Sequence, residues 1–255
     1  MLILFVLFAA FPGGPLWCDE SETAPAEDSL EAIPNPLEAT VAMGTWARQR
    51  TRGLTDRLQR LQALHRPFVR PGPAFIEEIT GPTPTARQAF ETRRSDCVGF
   101  ALLLSSLARE LDIELRFVLA GQVATTDRSG TLEIQRGHLA VLFEGRVFDL
   151  AGEEAYDPQR HWTISRRTAL ALYHSNRGAQ RLAQGSAAEA VEILWRALRL
   201  DPSLGTVWSN LGVALRRSGD TAGAVLAHEM ALRIDPADPG ARRNLGIACA
   251  EPLTD

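Results

Sequence analysis

The sequence predicts two regions of different structural class: an α+β domain over residues 37–164 and an all-α helical-repeat domain over residues 165–255. In the first region, a helical apolar segment that begins at Cys97 is followed by segments with an apolar residue at every second position. This order of helix and then strands is typical of α+β domains. In the second region a glycine recurs every 34 residues, and a fixed period of that length indicates an array of helical units. The recurring glycines are Gly178, Gly212 and Gly246.

The N-terminal segment is predicted to lie outside both domains. Leu2–Phe11 is an unbroken apolar run, and its length fits a signal peptide or an N-terminal anchor better than a membrane span. Residues 1–18 are therefore expected to direct export to the periplasm or cell envelope of a bacterium, with a membrane tether only through this segment. An uncleaved anchor, a misassigned start codon and lipidation at Cys18 stay open. Residues 19–36 are acidic and rich in Ala, Ser and Pro, as is typical of a disordered linker.

The composition excludes several classes of function. The net charge is −4 at pH 7 and the pI is about 5.8, which argues against non-specific binding of nucleic acid. All 27 basic residues are arginines, so this chain offers no lysine for a Schiff-base mechanism. The three cysteines fit no disulfide framework, and no cysteine or histidine pair has metal-ligand spacing. Neither a metal nor another cofactor is therefore expected.

Cys97 has the sequence context of a reactive thiol. Ser95 or Asp96 has the chemistry of a helix N-cap, which places Cys97 in the first turn of the helix that follows. The positive end of a helix stabilises a thiolate, the form of cysteine that attacks carbonyl groups, and its N–H groups suit an oxyanion. Arg93 and Arg94 add positive charge nearby in the sequence.

His138 and Asp149 are predicted to meet across a hairpin. Strand-like residues lie on both sides of Glu144 and Gly145. If the loop consists of these two residues, His138 and Asp149 become diagonal neighbours on one face, roughly 7 Å apart at the backbone. That separation suits a carboxylate that orients an imidazole. A three-residue loop would put the two side chains on opposite faces unless a bulge intervened.

Three segments around these residues match a known pattern. Asp96-Cys97 opens an Ala/Leu-rich helix, Leu111–Phe117 reads Leu-Asp-Ile-Glu-Leu-Arg-Phe, and Gly137–Leu150 reads Gly-His-Leu-Ala-Val-x-Phe-x-Gly-x-Val-Phe-Asp-Leu. In these segments the chain resembles transglutaminase-like proteins, which are papain-related thiol acyl-transfer folds. The resemblance implies that Cys97 is the nucleophile, His138 the general base and Asp149 the carboxylate that orients it.

This resemblance leads to two hypotheses of function. The first is an exported thiol enzyme, a peptidase or amidase or an acyltransferase, that acts on peptide or protein substrates through a Cys97–His138–Asp149 triad. The alternative is a catalytically inactive relative that keeps the fold as a scaffold for protein–protein interaction.

The second region resembles tetratricopeptide repeats. Leu198–Pro202 and Leu232–Pro236 are near copies one period apart. The resemblance implies two full repeats and a half repeat over residues 165–255. Such an array either binds a peptide or protein partner in its groove or serves as a scaffold for the first domain, and the sequence leaves both interpretations open. Asn176 and Asn210, one repeat apart, are the surface positions expected to matter if the groove binds a partner.

Overall fold

The computed structural model of the protein describes residues 35–129 and 132–250, and between residues 120 and 137 it describes the backbone alone. The predicted signal segment 1–18, Cys18 and nearly all of the predicted linker lie outside the described residues. In the described ranges, no helix combines the length and the hydropathy needed to cross a bilayer.

In the described residues, four helices precede the main sheet. They are α1 (Val41–Arg50), α2 (Arg57–Val69), α3 (Ala86–Thr92) and α4 (Cys97–Arg109). Each begins after a residue whose side chain accepts a backbone N–H of the first turn, where helical partners are missing. These N-cap residues are Thr40, Asp56, Thr85 and Asp96. Between the helices, the short strands β1 (Glu77–Glu78) and β2 (Arg94–Ser95) pair in parallel and fix the chain just before α4.

Within the part of the chain that the structure describes, the main sheet has five strands, all paired antiparallel in the order β6-β5-β4-β3-β7. The strands are β3 (Arg116–Ser129), β4 (Leu132–Phe143), β5 (Arg146–Phe148), β6 (Glu153–Ala155) and β7 (His161–Ile164). Phe143 pairs with Arg146, so the two-residue loop between β4 and β5 is confirmed. The pairing of β3 with β4 shifts register between Ala120 and Thr125.

Helix α4 lies at the centre of the first region. Every residue from Val98 to Ala108 is buried, as expected for a helix that is apolar on nearly all sides. Its leucines pack with one face of the sheet, which includes Phe117 and Val141, and with side chains of α1 and α2. The strand residues at the alternate positions, such as Val118, form a small separate cluster on the opposite face of the sheet. The alternation predicted for the strands is therefore present, and it fixes the start of α4 relative to β4.

The second region is helical. Its elements are α5 (Arg166–Ala183), α6 (Ala187–Leu200), α7 (Gly205–Arg217), α8 (Thr221–Ile234) and α9 (Pro239–Ala250). α6 and α8 begin 34 residues apart, as do α7 and α9, so the predicted period is present in the structure. Glycines allow the helices of a pair to approach closely, because a Cβ at Gly178 would lie 2.6 Å from Leu194 Cγ and one at Gly212 would lie 2.6 Å from His228 Nε2. The assignment to tetratricopeptide repeats itself stays a prediction.

Helix α5 packs in the cores of both regions. Ala169 and Tyr173, in its first half, belong to the cluster around α4. Leu182, near its end, belongs to the core of the helical region. The same helix therefore joins the two regions, and the described residues from 35 onwards form one compact unit.

Candidate active site

Cys97 is the first residue of α4, and its side chain is partly exposed. Of the two N-caps that the sequence allowed, Asp96 fills this role, because its Oδ1 accepts the Gly99 N–H at 2.8 Å. Its Oδ2 accepts the hydroxyl of Thr83. Ser95 is fully buried, and its hydroxyl donates to the carbonyl of Asp96 instead. The thiol therefore lies at the positive end of a buried helix and is partly exposed to solvent.

His138 and Asp149 lie in contact. The pairing of β4 with β5 ends where Val141 faces Phe148, so Asp149 follows the ladder by one residue. Its Oδ2 is 2.7 Å from His138 Nε2, the distance of a charge-assisted hydrogen bond. The hairpin predicted from the sequence thus brings the side chains of His138 and Asp149 into direct contact.

The other oxygen of Asp149 is held by the backbone of the next turn. Oδ1 accepts the N–H groups of Ala151 at 2.8 Å and Gly152 at 2.9 Å. Burial by itself would raise the pKa of Asp149, but the hydrogen bond from His138, its charge and these two N–H groups outweigh burial and lower the pKa. Asp149 is therefore an ionised group with a fixed orientation, as an imidazole needs from its partner.

His138 contacts both other members of the predicted triad. Besides the bond to Asp149, its side chain hydrogen bonds with Cys97, and these two bonds in that order raise the pKa of His138 to about 10 despite partial burial. At neutral pH the ring is therefore an imidazolium. Because Nε2 faces Asp149, Nδ1 is the nitrogen left for the sulfur. The structure thus brings together all three residues that the sequence singled out.

His65 is a part of the site that the sequence analysis missed. It lies on α2, is only 1% exposed, and its Nε2 is 2.7 Å from the backbone carbonyl of Asp149. Phe100 and Phe148 contact its ring edge-on. Burial, the largest effect, lowers the pKa of His65, so the ring is neutral and Nε2–H donates to the carbonyl. The sequence feature that could have indicated this role is the place of His65 on the apolar face of α2, one turn after Leu61 and one turn before Phe68.

The two arginines that precede Cys97 are directed at other partners. Arg94 pairs with Glu77 at 3.3 Å on the surface. Arg93 lies over the rings of Phe90 and Phe68, at 4.3 and 5.8 Å from their centroids. The positive charge hydrogen bonded to the Cys97 side chain is therefore that of His138, together with the helix terminus. This outcome differs from the emphasis that the sequence placed on Arg93 and Arg94.

Comparison with known protein families identifies the domain that contains these residues. Residues 44–164 match the model of the transglutaminase-like superfamily, so the chain carries a transglutaminase-like domain in this range. All three residues of the cluster fall inside it. No curated protein matches the chain. Within the described residues, no group of histidine, cysteine and acidic side chains is arranged to hold a metal ion.

Proposed function

We propose that the protein is a thiol enzyme that hydrolyses or transfers acyl groups of peptide or protein substrates through Cys97, His138 and Asp149. One observation carries this proposal: a single imidazole is hydrogen bonded to a fixed carboxylate on one side and to a partly exposed cysteine at a helix N-terminus on the other. A thiolate beside an imidazolium is the reactive pair of cysteine acyl-transfer enzymes.

In the proposed reaction, the sulfur of Cys97 attacks the carbonyl carbon of an amide or ester. His138 gives its proton to the leaving amine or alcohol as the bond to the carbonyl carbon breaks, and a thioester remains on Cys97. Water or an acceptor amine then attacks the thioester while His138 takes its proton. The acid or new amide leaves, and the thiolate–imidazolium pair is restored. Asp149 keeps the imidazole in one tautomer and orientation throughout.

Acylation by a simple activated ester tests this proposal without knowledge of the natural substrate. The protein is mixed with p-nitrophenyl acetate, and the acetylated residues are mapped by peptide mass spectrometry over time. The chain has no lysine, so competing amine acylation is small, and Cys249, an exposed thiol on α9, is an internal control. We expect Cys97 to be acetylated first and then released by water or an added amine.

His138→Ala is the matched variant for this experiment. It should slow both acetylation and release at Cys97 by about a hundredfold or more, the usual contribution of a positioned general acid–base, and leave Cys249 unchanged. Equal labelling of the two cysteines in the wild type would contradict the proposal. It would favour the alternative function, in which the transglutaminase-like domain is an inactive scaffold.

The helical region is proposed to hold the peptide or protein substrate, or a partner, beside this site. Its sharing of α5 with the core around α4 supports the proposal. Under the enzyme hypothesis, Cys97→Ala abolishes function in a complementation assay and keeps partner binding. A fully functional Cys97→Ala protein would instead favour the scaffold.

Export is also proposed, on the strength of the apolar Leu2–Phe11 run and the acidic segment after it. A reporter that is active only after export, fused after Glu31, should be active. A stable but silent fusion would contradict export.

A further inference from the structure

The segment Gly81–Thr85, here called the cap loop, presses on the start of α4. Thr83 is fully buried, and its hydroxyl donates to Asp96 Oδ2. Pro84 packs so closely on the helix that a Cβ added at Gly99 would lie 2.7 Å from the ring. Because Asp96 is the N-cap of α4 and precedes Cys97 directly, the cap loop determines how the turn that carries the thiol is held.

Helix α5 in turn holds the cap loop. Asn176 Nδ2 donates to Thr83 Oγ1 at 3.3 Å, and Gln180 Nε2 donates to the carbonyl of Gly81 at 2.7 Å. The two side chains are four residues apart and so share one face of the helix. Asn176 was predicted to lie on a partner-binding surface of the repeats, but it bonds with the transglutaminase-like domain instead.

The hydroxyl of Thr83 donates one hydrogen bond and accepts another. A threonine hydroxyl has one proton, and here that proton goes to Asp96, so the oxygen accepts from Asn176. The bond that this hydroxyl accepts and the bond that it donates strengthen each other, because hydrogen bonds in a chain polarise one another. Asn176, Thr83 and Asp96 therefore form a chain of hydrogen bonds that runs from α5 to the N–H of Gly99 in the first turn of α4.

We propose that Asn176 and Thr83 are positioning residues for Cys97, so that the helical region completes the active site rather than only carrying a binding groove. The inference rests on the proposed thiol chemistry. It implies that a ligand which shifts α5 changes the reactivity of the thiol, because the N-cap of α4 depends on the side chain that α5 provides.

The test is the acetylation rate of Cys97 in the full chain, measured with p-nitrophenyl acetate for the wild type and five variants. Thr83→Val keeps the shape of the side chain and removes the hydroxyl, and it should slow acetylation about tenfold. Thr83→Ser keeps the hydroxyl and should stay within about twofold of the wild type. Asn176→Ala should slow the reaction about threefold. The double variant should be no slower than Thr83→Val alone, because both changes break one chain.

Asn210→Ala is the matched control. Asn210 has the same place in the next repeat. It was predicted to be a surface position, but it is buried, and its Oδ1 has no hydrogen-bond partner in the described residues. Its replacement should leave the rate unchanged. A loss at Asn176 no greater than that at Asn210, or additive losses at Thr83 and Asn176, would overturn the inference. If Thr83→Val fails to fold, the comparison of Asn176→Ala with Asn210→Ala still decides. Failure of the proposed function has a different signature, since wild-type Cys97 would then react no faster than Cys249.

Discussion

Replacing His65 by phenylalanine tests whether the backbone of Asp149 needs the donor that α2 supplies. Phenylalanine keeps a planar ring between Phe100 and Phe148, so most of the packing survives. It removes the N–H that lies 2.7 Å from the Asp149 carbonyl. A buried acceptor without its donor costs about 1–3 kcal/mol, and the greater apolar character of phenylalanine offsets a part of this cost. We expect a net loss of about 1–2 kcal/mol, which lowers Tm by about 2–8 °C in a chain of this size.

The stability difference between the wild type and His65→Phe should depend on pH. Burial lowers the pKa of His65 in the folded protein, so below about pH 6.5 the unfolded chain binds a proton that the folded chain resists. The His65 contribution is therefore complete above about pH 6.5 and is lost as the pH falls below this value. Urea denaturation of the wild type and of His65→Phe should show their largest stability difference above pH 6.5 and a smaller one in acid.

Acetylation of Cys97 separates positioning from mere stability. A displaced Asp149 misorients His138, and small misplacements of catalytic groups cost large factors in rate, so His65→Phe should acylate at least about tenfold more slowly under conditions where it is folded. His174→Phe is the control, since His174 is also a helix histidine whose pKa is lowered, to about 4, mainly by burial. A folded His65→Phe protein with wild-type rate, or a stability difference that grows in acid, would refute the reasoning.

Two further predictions concern α4 and the catalytic pair. Gly99→Ala should destabilise the protein by about 1–3 kcal/mol in urea denaturation, because the new methyl group meets the rigid ring of Pro84 at 2.7 Å. The cost of this overpacking exceeds the gain in helix propensity of about 1 kcal/mol. A more stable variant would contradict this packing. The stability difference between the wild type and His138→Ala should be complete below about pH 6.5 and vanish as the pH rises to about 10, because the folded-state pKa of His138 is raised to about 10. This difference should be on the order of 1 kcal/mol, since the His138 side chain is 38% exposed and solvent screens its pair with Asp149. A difference that increases with pH would contradict the assignment of an imidazolium.

Local patterns allowed the hairpin and the central helix to be predicted from the sequence. The apolar stripe after Asp96 and the short loop at Glu144 and Gly145 depend on residues close together in the chain, and both are present in the structure. Side-chain direction at Asp149 was less predictable, because the residue lies just beyond the ladder and turns with the Asx bonds of the next two residues.

The supporting contacts could not be predicted, because they join residues far apart in the chain. The bond from His65 to Asp149 spans 84 residues and that from Asn176 to Thr83 spans 93. Single histidines and asparagines on helices have many roles, and only the packed structure shows which carbonyl or hydroxyl they meet. For the same reason, proximity in sequence overstated Arg94, whose charge is paired with Glu77.

The pH dependence of iodoacetamide alkylation at Cys97 tests the central claim most directly, with Cys249 measured in the same digest. An ordinary thiol alkylates about tenfold faster for each pH unit up to about 8.5, as its thiolate fraction rises. If His138 holds Cys97 as half of an ion pair, the rate at Cys97 should rise less between pH 6 and 8 than the rate at Cys249. In His138→Ala the two profiles should become parallel. Parallel profiles already in the wild type would contradict a Cys97–His138–Asp149 triad.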